Sequence, residues 1–151
     1  MDYLRYFWHL LWHKWYVMTE CAREGLIWRG LAHDWDKFLP SQFVPCVNYY
    51  YGRKDKESFD QAWNCHKARS KHHWQYWLLP DGSAREVEYP YNVEMFCDWV
   101  GAGKARGKPS PKNDRYFEVR NFYRKKKEKM VLHENTRKWV ENKLFGSTGI
   151  K

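Results

Sequence analysis

Apolar residues at the start of the chain recur in steps of three and four: Leu4, Phe7, Leu11, Trp15, Met18 and Ala22. That spacing predicts an amphipathic helix over Tyr3 to Arg23, closed near Gly25. His9 and His13 stand four apart, so they share another face of the same helix. Leu26 to Phe38 reads as a second helix or helix–turn, stopped at Pro40. Ser41 can cap a third helix whose length Pro45 limits. Gly52 to Lys56 is a charged turn. Ser58 to Leu78 predicts one long helix, ended by Pro80 and Asp81-Gly82.

Residues 81–89 read as a loop or a short hairpin. A helix over Asn92 to Val100 should end at Gly101-Ala102-Gly103. Lys104 to Asn113, rich in Gly, Pro and Lys, predicts an exposed mobile loop. Helices over 114–130 and 134–145 follow, and 146–151 is a flexible tail. The whole pattern predicts an all-α fold: one domain over residues 1–145, a compact bundle of about six or seven helices.

Composition adds two points. The chain has 151 residues, enough for one domain with a real core, and 43% are hydrophobic. Ten Trp, 11 Tyr and 8 Phe exceed what a core of this size needs, so some should line a pocket. The formal charge of +9 is uneven. Lys104 to Lys138 holds thirteen Lys and Arg against four Asp and Glu, which leaves the rest of the chain neutral. Such a segment suits an anionic partner: a phosphate-containing small molecule, nucleic acid or an acidic surface. A solvated helix face that only aids solubility explains it equally well.

Arg5, His9, His13 and Lys14 interrupt the apolar N-terminal stretch, which argues against a signal peptide or a spanning helix. Cys21, Cys46, Cys65 and Cys97 show no CxxC spacing and no disulfide framework, so free thiols in a cytoplasmic setting are expected.

The chemistry concentrates on histidine and carboxylate. His33 and Asp34 are adjacent, so on a helix they point about 100° apart and reach one ion only near a helix end. His66 and His73, on one straight helix, would lie roughly 10 Å apart. Lys67, Arg69 and Lys71 lie among His66, His72 and His73, where a plain polar face is the bland alternative. Glu94 and Asp98 are four apart in an apolar setting, where two carboxylates on one face call for a cation or a proton between them. Imidazole and carboxylate donors suit Zn, Mn, Fe, Ni or Co.

The order His13, His33-Asp34, Asp98 resembles the HD-domain superfamily of metal-dependent phosphohydrolases, and Gly30 to Lys37 resembles its central motif. A closer resemblance is to a family of bacterial and phage proteins of unknown function. It rests on His13-Lys14-Trp15-Tyr16-Val17, His33-Asp34-Trp35-Asp36-Lys37-Phe38, Lys71-His72-His73-Trp74-Gln75-Tyr76-Trp77 and Glu94 to Gly103, and it runs from about 10 to 145. Asp36 departs from the pattern, where Ser is expected, so it is either an extra acidic ligand or a residue of no consequence.

The superfamily resemblance implies an HD-type bundle and one or two divalent ions, Mn, Fe, Co, Ni, Zn or Mg. His13, His33, Asp34 and Asp98 would hold the first. His66 with His72 or His73 would hold a second ion or the substrate phosphate. Lys37, Arg69 and Lys71 would contact phosphate, Glu94 would be a general acid or base, and Asp34 would also orient the attacking water. The implied reaction is hydrolysis of a nucleotide or related phosphate ester in a bacterial cytoplasm, with a bacterial or a phage gene as the source. Two alternatives stand beside it. One is a nucleic-acid-binding module working through Lys104 to Lys138. The other is a phage-type interaction protein with a structural or vestigial metal site.

Overall fold

A computed structural model describes residues 1–107, 111 and 114–146. The described residues form seven α-helices: α1 (Asp2–Arg23), α2 (Ile27–Ala32), α3 (Pro40–Tyr50), α4 (Lys56–Arg69), α5 (Tyr91–Ala105), α6 (Phe117–Lys126) and α7 (Glu134–Phe145). Three short 3-10 turns join them at Trp35–Phe38, Trp74–Trp77 and Lys127–Lys129. Residues 78–89 are irregular, with a single antiparallel bridge between Leu78 and Ala84. None of the described helices is long and apolar enough to cross a membrane. All four cysteines are free thiols.

α5 is the central helix, with ten of its residues buried, and it lies along α1. On one side, Met95, Phe96, Trp99 and Val100 pack against Val119, Tyr123, Val140 and Leu144 of α6 and α7. On the other, Val93 and Cys97 meet Val17 and Cys21 of α1. A third cluster, Tyr6, Leu10 and Val47, ties the start of α1 to α3. Burying one aliphatic or aromatic side chain contributes about 1.5–3 kcal/mol, so these clusters set the frame within which the polar centre is held.

Four expectations change. Helix α5 runs through Gly101 and Gly103 to Ala105 instead of stopping at Val100. A Cβ on Gly101 would sit 2.5 Å from Val17 Cγ2 and 2.8 Å from the Val17 nitrogen, so these glycines mark close helix packing and not a helix end. The predicted 58–78 helix breaks at Ser70, and the chain turns back before Trp74. Pro40 starts α3, leaving Ser41 inside it and Leu39 at its cap.

The fourth change concerns the face of α1 that turns inward. Its buried residues are Tyr6, Leu10, His13, Val17, Glu20 and Cys21. Leu4, Phe7 and Trp15 of the expected apolar face are exposed, as are Trp8 and Trp12. The inward face is the one that carries His13, because polar groups that partner one another can be buried. The expected mobile loop falls partly, and the tail almost wholly, outside the described residues.

Candidate metal centre

The centre begins with a broken helix. α2 ends at Ala32; His33 is extended and Asp34 takes a left-handed conformation at φ 53°. Asp tolerates that region better than most residues. The ammonium of Lys14, reaching over from α1, donates to the carbonyls of Leu31 (2.7 Å) and His33 (2.6 Å) and covers the Trp35 ring. It satisfies carbonyls at the end of α2 and fixes the corner. Because the pair no longer sits on a regular helix, both side chains turn to one point.

Four residues from three elements converge there. His13 Nε2 lies 3.2 Å from Asp98 Oδ1 and 3.8 Å from Asp34 Oδ2. His33 Nε2 lies 3.2 Å from Asp34 Oδ2 and 3.5 Å from Asp98 Oδ1. A second group meets on the other oxygen of the same carboxylate. His66 Nε2 and His72 Nε2 lie 3.3 Å and 3.2 Å from Asp34 Oδ1, and His73 Nε2 is 2.9 Å from His66 Nε2. The break at Ser70 brings His66 and His73 this close; a continuous helix would have kept them roughly two turns apart. The ligand atoms of each four-residue group all lie within 4.8 Å of one another. Asp34 therefore stands between two potential cation sites.

The hydrogen-bond accounting agrees with that geometry. Six side-chain polar atoms among the described residues are buried without a hydrogen-bond partner. Five of them are His13 Nε2, His33 Nε2, His72 Nε2 and both carboxylate oxygens of Asp34. Orphaned buried polar groups are costly and rare, so five within one cluster, all facing inward, fit a site that cations complete. The Lys37 ammonium lies 2.6 Å from Asp34 Oδ2 as an ion pair, so that oxygen already faces one fixed cation of the protein's own.

The ring nitrogens on the far sides are held as well. Glu94 Oε1 lies 3.0 Å from His33 Nδ1 and 3.2 Å from His72 Nδ1, and Arg29 donates to Oε2 at 2.7 Å. Asp36 Oδ2 lies 2.7 Å from His66 Nδ1. Asp36 thus backs a histidine and is not itself in either ligand group. His33, His72 and Glu94 also satisfy the spacing of a metal group. Their contacts are of hydrogen-bond length and Arg29 occupies the other oxygen, so this set reads as backing for the other two.

Charge follows from these contacts. Burial works against ionisation of Asp34 and Asp98, but His33, Lys37 and His13 outweigh it and hold both carboxyls well below their usual range. Burial likewise opposes the charge on Lys37, yet Asp34 and Asp98 keep it protonated. Glu94 is held down to about 2: burial opposes its charge, and His33 and His72 overcome that. His73 goes the other way, pushed well below its usual value by burial and by His72, so its imidazole is the neutral form that ligates metals.

A cleft of about 370 Å³ opens onto the centre, with His13, His73, Asp98 and Lys37 on its lining. Its walls include Tyr6, Tyr50, Trp63, Trp74, Trp99 and Phe122. Arg106 and His9 stand there too. Arg69 and Lys71, expected at the phosphate, are exposed and do not line it. Lys71 lies over the rings of Tyr76 and Tyr91. Glu94, expected as a general acid or base, is not among the residues lining this cleft and borders a separate one beside Leu26 and Trp28. Sequence reasoning missed Arg106, Arg29 and the corner-fixing role of Lys14. The only signal for Lys14 was its place beside His13, and Arg106 was hidden within a general basic run.

The fold and this site define an all-helical protein with a buried His–Asp–Glu cluster suited to divalent cations. Residues 2–145 match a family of unknown function, DUF5662, and the chain belongs to that family. No curated protein and no solved structure matches the chain.

Proposed function

We propose that this chain is a metal-dependent phosphohydrolase of the HD type, acting on a nucleotide or a related phosphate ester. One observation carries the reading: the unpartnered buried atoms of His13, His33, His72 and Asp34 point at common centres on either side of one carboxylate. His13, His33, Asp34 and Asp98 would hold one ion, and Asp34, His66, His72 and His73 a second. Such ions supply Lewis acidity towards a phosphoryl oxygen and make a water acidic enough to ionise near neutral pH.

The protein's own groups supply the rest. Asp34, ionised and buried, orients the histidines and the Lys37 ammonium that contact it. Lys37 adds a fixed positive charge beside it. Arg106 lines the cleft and has no carboxylate partner among the described residues, so it is placed to meet a substrate phosphate. The aromatic walls suit stacking with a nucleobase.

The test is elemental analysis of purified protein, followed by a nucleotide panel with Mn²⁺, Co²⁺ or Ni²⁺. Wild type should carry metal and release phosphate. Asp34→Ala should lose both, and Arg106→Ala should keep its metal while KM rises. Equal metal content and turnover in wild type and Asp34→Ala would sink the proposal.

A second reading has its own observation. Arg124, Lys125, Lys126, Lys127 and Lys129 are exposed around the end of α6, with only Glu128 among them. That patch suits a nucleic-acid backbone. Binding there would weaken steeply with salt and be indifferent to His33→Ala.

A further inference from the structure

We propose that Glu94 is a positioning residue shared by the two cation sites, holding one histidine of each with a single carboxylate oxygen. The inference rests on reading the cluster as a metal centre, but not on hydrolysis. Oε1 lies 3.0 Å from Nδ1 of His33, which belongs to the first group, and 3.2 Å from Nδ1 of His72, which belongs to the second. The two rings have centroids 4.4 Å apart, so one oxygen reaches both.

An acceptor at Nδ1 requires that nitrogen to carry the proton. With a cation at each Nε2 the remaining ring proton falls on Nδ1, beside Glu94 Oε1, and both Nε2 atoms face Asp34. Oε2 is taken by Arg29, whose guanidinium lies 4.3 Å from the centre of the Tyr91 ring. Glu94 is therefore clamped from behind and cannot follow one histidine without leaving the other. It borders a different cleft from the one that reaches the centre, so it acts through the imidazoles and not on a substrate.

A single oxygen serving both groups links their affinities. Loss of one outer carboxylate ordinarily costs about 10–100-fold in metal affinity at the site it serves. Here the same loss should fall on both sites together.

The experiment is a Co²⁺ titration of wild type, Glu94→Gln, and the double variant Arg29→Met with Glu94→Gln, followed by visible absorption and by proton NMR of the cobalt-loaded protein. Both cobalt sites should weaken in Glu94→Gln by about 10–100-fold. The double variant removes Arg29's unpaired charge, so it should fold even where the single one does not, and it should stay weakened. In loaded wild type, the shifted Nδ1–H signals of His33 and His72 should exchange slowly with solvent, beside that of His66 held by Asp36, and only the first two should exchange faster in the variants.

The inference is overturned by affinity lost at one site only, by wild-type affinity in the double variant, or by Nδ1–H signals of His33 and His72 that exchange freely in wild type. A chain that loads cobalt through Glu94 yet turns over no nucleotide counts against hydrolysis alone. A chain that turns over nucleotide with Glu94-independent loading counts against this inference alone. A wild type that takes up no cobalt removes both.

Discussion

His33 shows how single atoms organise this protein. Its Nδ1 meets Glu94 and its Nε2 meets Asp34 and Asp98, so two carboxylates one helical turn apart on α5 address the two nitrogens of one ring. The i, i+4 spacing of Glu94 and Asp98 matches the breadth of an imidazole placed between them. Asp36 repeats the device for His66 on a smaller scale. We expect Asp36→Asn to lower affinity at the site containing His66 by about 10–100-fold and to leave the site containing His13 unchanged. Zinc titration with competing chelators reads the two separately, and equal weakening of both would contradict the assignment. At this scale the ligand types were legible in the sequence. The partner at each far nitrogen was not, because hydrogen-bond partners such as His33 and Glu94 lie 61 positions apart.

Elements bring those atoms within reach. α1 and α5 pack so closely at Gly101 that an added Cβ would press on Val17, both side chain and backbone. Val17 is itself fully buried, so it has nowhere to move. Gly101→Ala should therefore cost about 1–3 kcal/mol of stability by overpacking, with Val17→Ala in the same chain returning part of it. Chemical denaturation of the two variants measures this. No loss in Gly101→Ala would mean that the helices stand further apart.

The positions of α1, α3, α5 and α7 were legible in outline, α1 from its three-and-four spacing and α3 and α5 from the residues that flank them. Two features were not. The break after Arg69 carries no Pro or Gly, and nothing local announces it. The inward face of α1 was misjudged because Trp-rich residues lie outside while His13 and Glu20 lie within, so hydrophobicity alone pointed the wrong way.

Across the whole molecule, a buried ion cluster ties the N-terminal helix to the later chain. Glu20, almost wholly buried, accepts from Lys104, from Arg23 at 3.0 Å and from Arg115 Nε at 2.7 Å. Burial works against its charge, but Lys104 and Arg115 outweigh it and lower its pKa from the usual 4.5. A carboxyl depressed in the folded state adds stability above its unfolded value and loses it as pH falls through the folded one. Stability measured by denaturant melts should thus decline as pH drops below about 4.5, and Glu20→Gln should flatten that part of the decline. It should also be less stable than wild type at neutral pH, since three cations would then face a neutral amide. An unchanged acid limb in Glu20→Gln would show that the cluster does not form.

The amino-acid order alone determined that this chain is all-helical, which residue types could ligate a cation, and where most helices begin. These follow from local spacing and side-chain chemistry. Only the tertiary structure decided that Asp34 stands between two groups of potential ligands, that Glu94 does not line the cleft at the centre, and that Arg106 rather than Lys71 does. Those outcomes depend on the angles at which separate helices cross and on where a helix breaks. Such angles are settled by packing among residues far apart in the chain, which no short stretch of sequence encodes.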